Sequence, residues 1–125
     1  MNRQIKFRGK HTHVLNCNKP LNGIWVYGYL ADESYINSPE LEGEFFVDKN
    51  TVGQYIGVPD KNGKEIYEGD IVKDERIQLL GVIKFSERYL QFVVDDIHDG
   101  EQDYSEFMNQ IEIIGNVYEN ADLLN

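Results

Sequence analysis

Short stretches that alternate apolar and polar residues, or that collect β-branched and aromatic ones, recur along the whole chain. In Gln4–Arg8 apolar side chains alternate with polar or basic ones, which predicts a half-buried strand with Lys6 and Arg8 on its solvent face. Further strands are predicted at Ile24–Leu30, Phe45–Val47, Gln54–Val58, Glu65–Tyr67, Ile71–Lys73, Gly81–Phe85, Leu90–Val94 and Glu112–Val117. Short strands at regular spacing predict an all-β fold, with a sheet curled into a small barrel or roll.

The segments between these strands are polar and rich in turn-forming residues. His11–Gly23 and Asp32–Gly43 are predicted to be loops. Within Pro59–Lys64, the pair Asn62 and Gly63 predicts a type I′ turn, because both central residues of that turn need a positive φ. The connections are therefore expected to be short and local.

Helical patterns are few. Asp103–Gln110 is predicted to be a helix, because Asp103 can cap its first turn and Glu106 stands three residues further on. The chain is expected to close on a short turn of helix or coil at Ala121–Asn125. The fold class is therefore mostly β with one or two short helices.

The length of 125 residues fits one domain with its own core. The polar segment Asp48–Asn50 would allow a split near Thr51, but each flanking segment is too small to hold a core alone. No fixed-period repeat or low-complexity linker interrupts the chain. We therefore expect a single domain over residues 1–125.

The net charge of −10 is unevenly distributed. Residues 1–20 carry no acid, and their bases are Arg3, Lys6, Arg8, Lys10 and Lys19. An acidic body repels the nucleic-acid backbone, which argues against sequence-independent binding of nucleic acid. The basic segment either pairs with the acidic body or contacts phosphates locally. The candidate macromolecule-binding residues are Arg3, Lys6, Arg8 and Lys10.

The location expected from the sequence is the cytoplasm. Cys17 is the only cysteine, so no intrachain disulfide can form. The first residues contain no apolar stretch of signal-peptide length. No apolar run approaches the ~18 residues of a membrane helix, so we expect no association with a membrane.

Two groups of residues resemble parts of a metal site, and motifs for catalysis or phosphate binding are absent from the sequence. Asp95, Asp99, Gly100 and Glu106 fall where an EF-hand loop has ligands or its glycine, but Ile97 stands at a ligand position. His11, His13 and Cys17, with His98 more distant, lack the second close pair of a zinc site. No nucleophile elbow, P-loop or dinucleotide-binding motif is present. We therefore predict no metal, no cofactor and no catalytic residue, and a protein that is not an enzyme. Whether the loop 95–106 binds a cation stays open.

Four stretches resemble the YopX family of small proteins encoded mainly by bacteriophages and prophages. They are Ile5–Lys10, Trp25–Leu30, Thr51–Tyr55 continued by Asp60–Val72, and Ile114–Asn120. The resemblance implies an all-β, SH3-like barrel and no known activity, so it assigns no binding or catalytic residue. The segment His11–Asn22 departs from the short turn usual in the family, and its role stays open.

Physical chemistry accounts for much of the long third stretch without a ligand. Gly63 suits its turn, Gly69 suits a bend, and Asp70 can accept hydrogen bonds from nearby backbone N–H groups. Trp25, Tyr55 and Tyr67 are large enough to dominate a small core. We therefore interpret the stretch as structural rather than as a binding signature.

Three functional hypotheses follow. The leading one is a phage or prophage accessory protein that binds a host or phage protein, since an acidic surface suits a basic partner. The second is a small barrel that binds nucleic acid through its basic N-terminal strand. The third is an oligomeric structural or assembly component, because small barrels leave strand edges available for pairing.

Overall fold

A computed structural model describes residues 5–12, 23–104, 106 and 108–125. Its strands are β1 (Phe7–His11), β2 (Trp25–Asp32), β3 (Tyr35–Ser38), β4 (Gly43–Pro59), β5 (Glu65–Tyr67), β6 (Asp70–Asp74), β7 (Leu79–Ser86), β8 (Gln91–Asp96), β9 (Gly100–Gln102) and β10 (Glu112–Asn116). Short 3₁₀ helices occupy Glu75–Ile77, Met108–Gln110 and Ala121–Leu124. The prediction of an all-β fold is confirmed.

Backbone contacts divide the chain into two compact units, the first ending at Tyr55 and the second beginning at Ile56. In strand order, β1 to β5 form one five-stranded sheet, and β10, β6, β7, β8 and β9 form the other. Each unit has its own buried cluster of apolar side chains. That the chain acts as a single domain stays a prediction.

The first unit curls its strands into a partly closed arrangement. β1 pairs antiparallel with β2 on one side and with β4 on the other, with a bulge between Arg8 and Lys10. Val26, Ile36 and Val47 are fully buried at its centre. This closure agrees with the predicted barrel or roll, because pairing β1 on both sides removes its free edge.

The second unit is an antiparallel sheet packed around its own core. β7 pairs with β6 and β8, while β10 and β9 form the two ends. The centre consists of fully or nearly fully buried residues: Ile66, Val72, Leu79, Ile83, Val94, Met108 and Ile111. The tight turn before β6 is held by Asp70, whose carboxylate accepts the Tyr67 N–H at 2.8 Å.

Several local predictions differ from the structure. β3 lies inside the predicted loop Asp32–Gly43, and β4 joins two predicted strands into one of 17 residues. The predicted helix Asp103–Gln110 is wrong. In its place, after β9, the described residues contain only the 3₁₀ turn Met108–Gln110. The capping pattern is local, and the burial of Met108 against the core dominates it.

The turn type predicted at Asn62 is also wrong. Gly63 has a φ of 82°, but Asn62 does not have a positive φ. The Gly63 N–H instead donates to the Asp60 carbonyl at 3.0 Å, and the Asp60 N–H donates to the Lys64 carbonyl at 2.7 Å. The hairpin predicted between Gly81–Phe85 and Leu90–Val94 is confirmed as β7 and β8.

Candidate functional site

The basic N-terminal strand does not present its cations as predicted. Arg8 is only 4% exposed, and its guanidinium lies 4.8 Å from the centre of the Trp25 ring. Ile5, predicted to be inside, is 58% exposed. The solvent-face prediction for Arg8 is wrong because the Trp25 ring covers the guanidinium. Trp25 lies on the same sheet face, two residues along β2 from Tyr27, the partner of Arg8.

The other candidate cations are placed differently. Lys6 precedes β1 and Lys10 lies within it, and both are partly exposed. The Lys10 N–H donates to the Thr51 hydroxyl at 2.8 Å. Arg3 lies outside the described residues. Binding of a macromolecule by these four residues stays a prediction.

The proposed metal ligands are not gathered into a site in the described part of the chain. His11 is buried, its Nδ1 lying 2.7 Å from the Phe46 carbonyl oxygen, while His98 is exposed. His13 and Cys17 lie outside the described residues. Of the four zinc candidates, the described residues therefore include only His11 and His98, and these two are not part of a common cluster of metal-ligating residues.

The acidic loop forms a β-hairpin between β8 and β9. The carboxylate of Asp96 accepts the N–H groups of His98 and Asp99 at 2.8 and 3.0 Å. Burial by itself raises the pKa of Asp96, but these amides and that of Leu80 outweigh it and lower the pKa below its usual value. The turn thus directs donors at Asp96, whereas a calcium loop directs oxygen atoms at the ion.

One end of the second unit's sheet is closed by Asp60. This carboxylate is 4% exposed, and its Oδ1 accepts the N–H groups of Asn62 and Lys64, each at 2.9 Å. Its Oδ2 accepts the Ile113 N–H of β10 at 3.1 Å. One side chain therefore both shapes the turn after β4 and satisfies an outward amide of the edge strand.

The next outward amide of β10 is satisfied in the same way. The Asn116 N–H donates to the Asn120 side-chain oxygen at 3.1 Å. A Cβ on Gly115 would lie 2.7 Å from that oxygen, so the glycine allows the close approach. We call the outer side of β10, with Asp60 and Asn120, the capped edge.

The hairpin of β7 and β8 ends in exposed apolar side chains. Phe85 and Phe92 are directly opposite each other, with ring centres 5.4 Å apart and an interplanar angle of 80°. Phe85 is 46% exposed, Tyr89 44% and Leu90 76%. We call these four residues the aromatic tip.

A buried serine holds the aromatic tip in place. Ser86 is fully buried, its hydroxyl donates to Glu101 at 2.6 Å, and its oxygen accepts the Tyr89 N–H at 3.1 Å. The Leu90 N–H donates to the Ser86 carbonyl at 2.8 Å. Glu101 is held in turn by Lys84 at 2.7 Å, and hydrogen bonds from Lys84 and then Ser86 lower its pKa. The apolar side chains therefore stand on a fixed loop.

A cavity of about 280 Å³ in the second unit is lined mainly by charged residues. Arg76 pairs with Asp74 through two bonds, of 3.0 and 2.6 Å, and this hydrogen-bonded guanidinium lowers the pKa of Asp74. Lys73 lies 3.3 Å from Glu75 and 4.0 Å from Glu112. The charges compensate one another, so the cavity contains an ion-pair network rather than an excess of one sign.

The YopX protein family model matches residues 14–125 of the chain. The chain belongs to the YopX family. Three of the four stretches that carry the resemblance lie within this match, whereas Ile5–Lys10 precedes it. The capped edge of this YopX chain joins two of those stretches, since Asp60 comes from the third and Asn120 from the fourth. Both side chains accept backbone hydrogen bonds from β10.

The YopX chain also resembles a solved structure, the crystal structure of protein EF1440 from Enterococcus faecalis. The match has 22% identity and a TM-score of 0.56, and it covers 99% of this chain and 100% of that one. At this identity the likeness shows the fold alone. A comparison with curated proteins found no match.

The aromatic tip of the YopX chain was missed at the level of sequence. Leu90 reads as the first residue of a strand, and a period-two pattern does not show where the core ends along a strand. Across the described ranges, no helix is both long enough and apolar enough to cross a membrane.

Proposed function

We propose that this YopX chain is a phage or prophage accessory protein of the bacterial cytoplasm that binds a protein partner and does not catalyse a reaction. The contact surface is the aromatic tip of the second unit. Aromatic and aliphatic anchors on a fixed loop are the features that concentrate binding energy at protein interfaces.

One observation carries the proposal, the conformation of Leu90. This leucine has a φ of 55° and, among the large apolar side chains of the described residues, it is the most exposed. The left-handed region favours glycine or asparagine, and water favours a polar side chain, so Leu90 is unfavourable on both counts. A residue whose backbone conformation and exposure are both unfavourable for its type contributes little to folding, so its retention points to a role in binding.

Charge indicates the kind of partner. The chain carries −10 overall, so a second copy would bring the same charge to the contact. The guanidinium of Arg88 lies 5.5 Å from the centre of the Tyr89 ring, and Arg88 is next in sequence to the acidic Glu87. We therefore propose a partner with apolar residues surrounded by a mainly basic rim.

Nucleic acid is the weaker alternative. It relied on a row of exposed cations on β1, and the burial of Arg8 over Trp25 takes one of them out of that row. Lys6 and Lys10 are the remaining described candidates. An oligomeric component is the third alternative, and it competes for the same aromatic tip.

The proposal is tested by comparing two variants with the same backbone effect. Leu90→Gly removes the exposed side chain at a positive φ, and Gln78→Gly does the same at an exposed polar residue whose φ is 54°. Tagged proteins are recovered from cells that carry the phage or prophage, with and without nuclease. The same stoichiometric partner is expected with wild type and Gln78→Gly, and at least about tenfold less with Leu90→Gly.

Two results would contradict the proposal. Equal recovery with both variants would show that the aromatic tip does not make the contact. Loss of all associated material after nuclease would favour the nucleic-acid hypothesis. Light scattering at two concentrations separates self-association, which would instead support the oligomeric alternative.

A further inference from the structure

We infer that the partner segment is an extended strand that pairs with the outer edge of β8 at Phe92 and lays its apolar side chains on the aromatic tip. This inference rests on the proposed function and adds the mode of binding. Addition of a strand to an open sheet edge supplies affinity through backbone hydrogen bonds and specificity through alternate side chains.

The backbone bonds of β8 determine which residues face outward. The Ile97 N–H donates to the Leu80 carbonyl at 2.9 Å, toward β7. The β7–β8 register has no irregularity, and residues of an antiparallel strand point alternately to its two neighbours. The N–H and C=O groups of Phe92 are therefore directed to the side of β8 opposite β7.

That side of β8 is covered by β9 along part of its length. The ladder between the two strands ends where Val94 pairs with Gln102, so Phe92 lies beyond it. In the portion of the chain that the structure describes, β9 is the only strand on that side of β8. The outer half of β8 thus provides a short edge with one outward-directed residue.

The two ends of this sheet differ in a way that supports the inference. Outward amides of β10 are bonded to the side chains of Asp60 and Asn120, so these donors are not available to an added strand. At Phe92, which is half-buried, the neighbouring feature is the exposed ring of Phe85 instead. A fold that closes one edge with side chains and borders the other with aromatic rings is arranged for pairing at the second edge.

The side chains define the chemistry of the added strand. Ile83 and Val94 belong to the buried core, and two residues further along the same sheet face stand Phe85 and Phe92. An added strand therefore continues this face with apolar residues at every second position. Its other side chains are basic, because the chain is strongly acidic.

The test uses the full chain and a synthetic peptide of alternating valine and lysine. A matched peptide carries N-methyl groups on the amides of one edge, which removes backbone donors and keeps the side chains. A third peptide places the methyl groups on the opposite edge. Titration calorimetry measures affinity, and amide hydrogen exchange measures protection of the Phe92 N–H.

The expected result is saturable binding of the unmodified peptide with slower exchange at Phe92. Methylation of one edge only is expected to weaken binding about tenfold, because the bond from a peptide N–H to the Phe92 carbonyl is lost and the methyl group obstructs close approach of the two strands. The Leu90→Gly variant is expected to weaken the peptide as well, whereas Gln78→Gly is not.

Two outcomes would overturn the strand inference. No binding by the alternating peptide would do so, as would equal affinity of all three peptides with unchanged exchange at Phe92. If Leu90→Gly still lost the cellular partner, the proposed function would stand and only the mode of binding would fail. If exchange of the Phe92 N–H slowed at high protein concentration without peptide, the strand that pairs there would belong to a second copy of the chain, and the inference of a separate partner would be wrong.

Discussion

The two outer sides of the second unit's sheet are built from the same backbone chemistry and treated in opposite ways. On β10, two outward N–H groups reach the side-chain oxygens of Asp60 and Asn120. On β8, the outward groups of Phe92 lie beyond the end of β9 and beside exposed rings. Side-chain acceptors therefore satisfy the outward N–H groups of β10, whereas no such acceptor is described at Phe92 of β8.

The sequence positions of the two sides sharpen this contrast. The two caps of β10, Asp60 and Asn120, come from stretches that resemble the YopX family, and each has a hydrogen-bonding role in the sheet. The aromatic tip lies between these stretches. What the family resemblance marks most clearly is therefore the framework, and the proposed contact surface lies elsewhere in the same unit.

The largest expected effect is that of removing the cap at Asp60. Asp60→Ala leaves the N–H groups of Asn62, Lys64 and Ile113 without their acceptor, and is expected to lower the free energy of unfolding by about 3 kcal/mol. Urea denaturation measures the loss. Asp48→Ala, which removes one exposed turn bond to Asn50, is the control and is expected to cost less than about 1 kcal/mol. Equal losses would show that the capped edge has no special weight.

The second prediction concerns acid and the hairpin of β8 and β9. The pKa of Asp96 is lowered from 3.8 in the folded protein, so its stabilisation is complete above that value and is lost as the pH falls through the folded pKa. The contribution of Asp96 to the melting temperature is expected to hold down to about pH 5 and to be lost progressively below about pH 4. Asp96→Asn is expected to cost about 1 to 2 kcal/mol at neutral pH and to flatten the acid dependence. An unchanged pH profile in this variant would contradict the assignment.

A smaller effect is expected at the other cap. Asn120→Ala removes the acceptor of the Asn116 N–H and is expected to cost about 1 kcal/mol. Gly115→Ala pushes on the same asparagine, so the double variant is expected to lose less than the sum of the two single losses. Asn109→Ala, at an exposed asparagine, is the control. Strict additivity would show that Gly115 does not act through Asn120.

Parts of this contrast were predictable and parts were not. Alternating residues located the β7–β8 hairpin, and Gly63 identified a turn, because both depend on neighbours in sequence. The bond from Asp60 to Ile113 joins residues 53 apart, so no local pattern contains it. β3 was hidden in a polar segment, because pairing with β2 and β4 outweighs its weak strand composition.

Two errors have a common physical origin. The alternating pattern of β1 predicted a solvent-facing Arg8, whereas the Trp25 ring of the neighbouring strand β2 covers its guanidinium. The helix predicted at Asp103–Gln110 followed a capping pattern that packing of Met108 overrides. In both cases tertiary pairing decides an outcome that local sequence leaves open. The exposure of the aromatic tip could not be predicted from sequence for the same reason, because it depends on where the packed core ends along β7 and β8.

The smallest effect on stability is expected at the aromatic tip, and it tests the contrast most directly. Phe85→Ala, Phe92→Ala and the double variant form a cycle whose coupling is expected to be about 0.5 to 1 kcal/mol, since the edge-to-face pair is partly in water. Urea denaturation gives the coupling, and partner recovery is measured on the same proteins. A coupling as large as the loss at Asp60 would make the pair an extension of the core. A small coupling together with loss of the partner would mean that these rings contribute to binding far more than to folding.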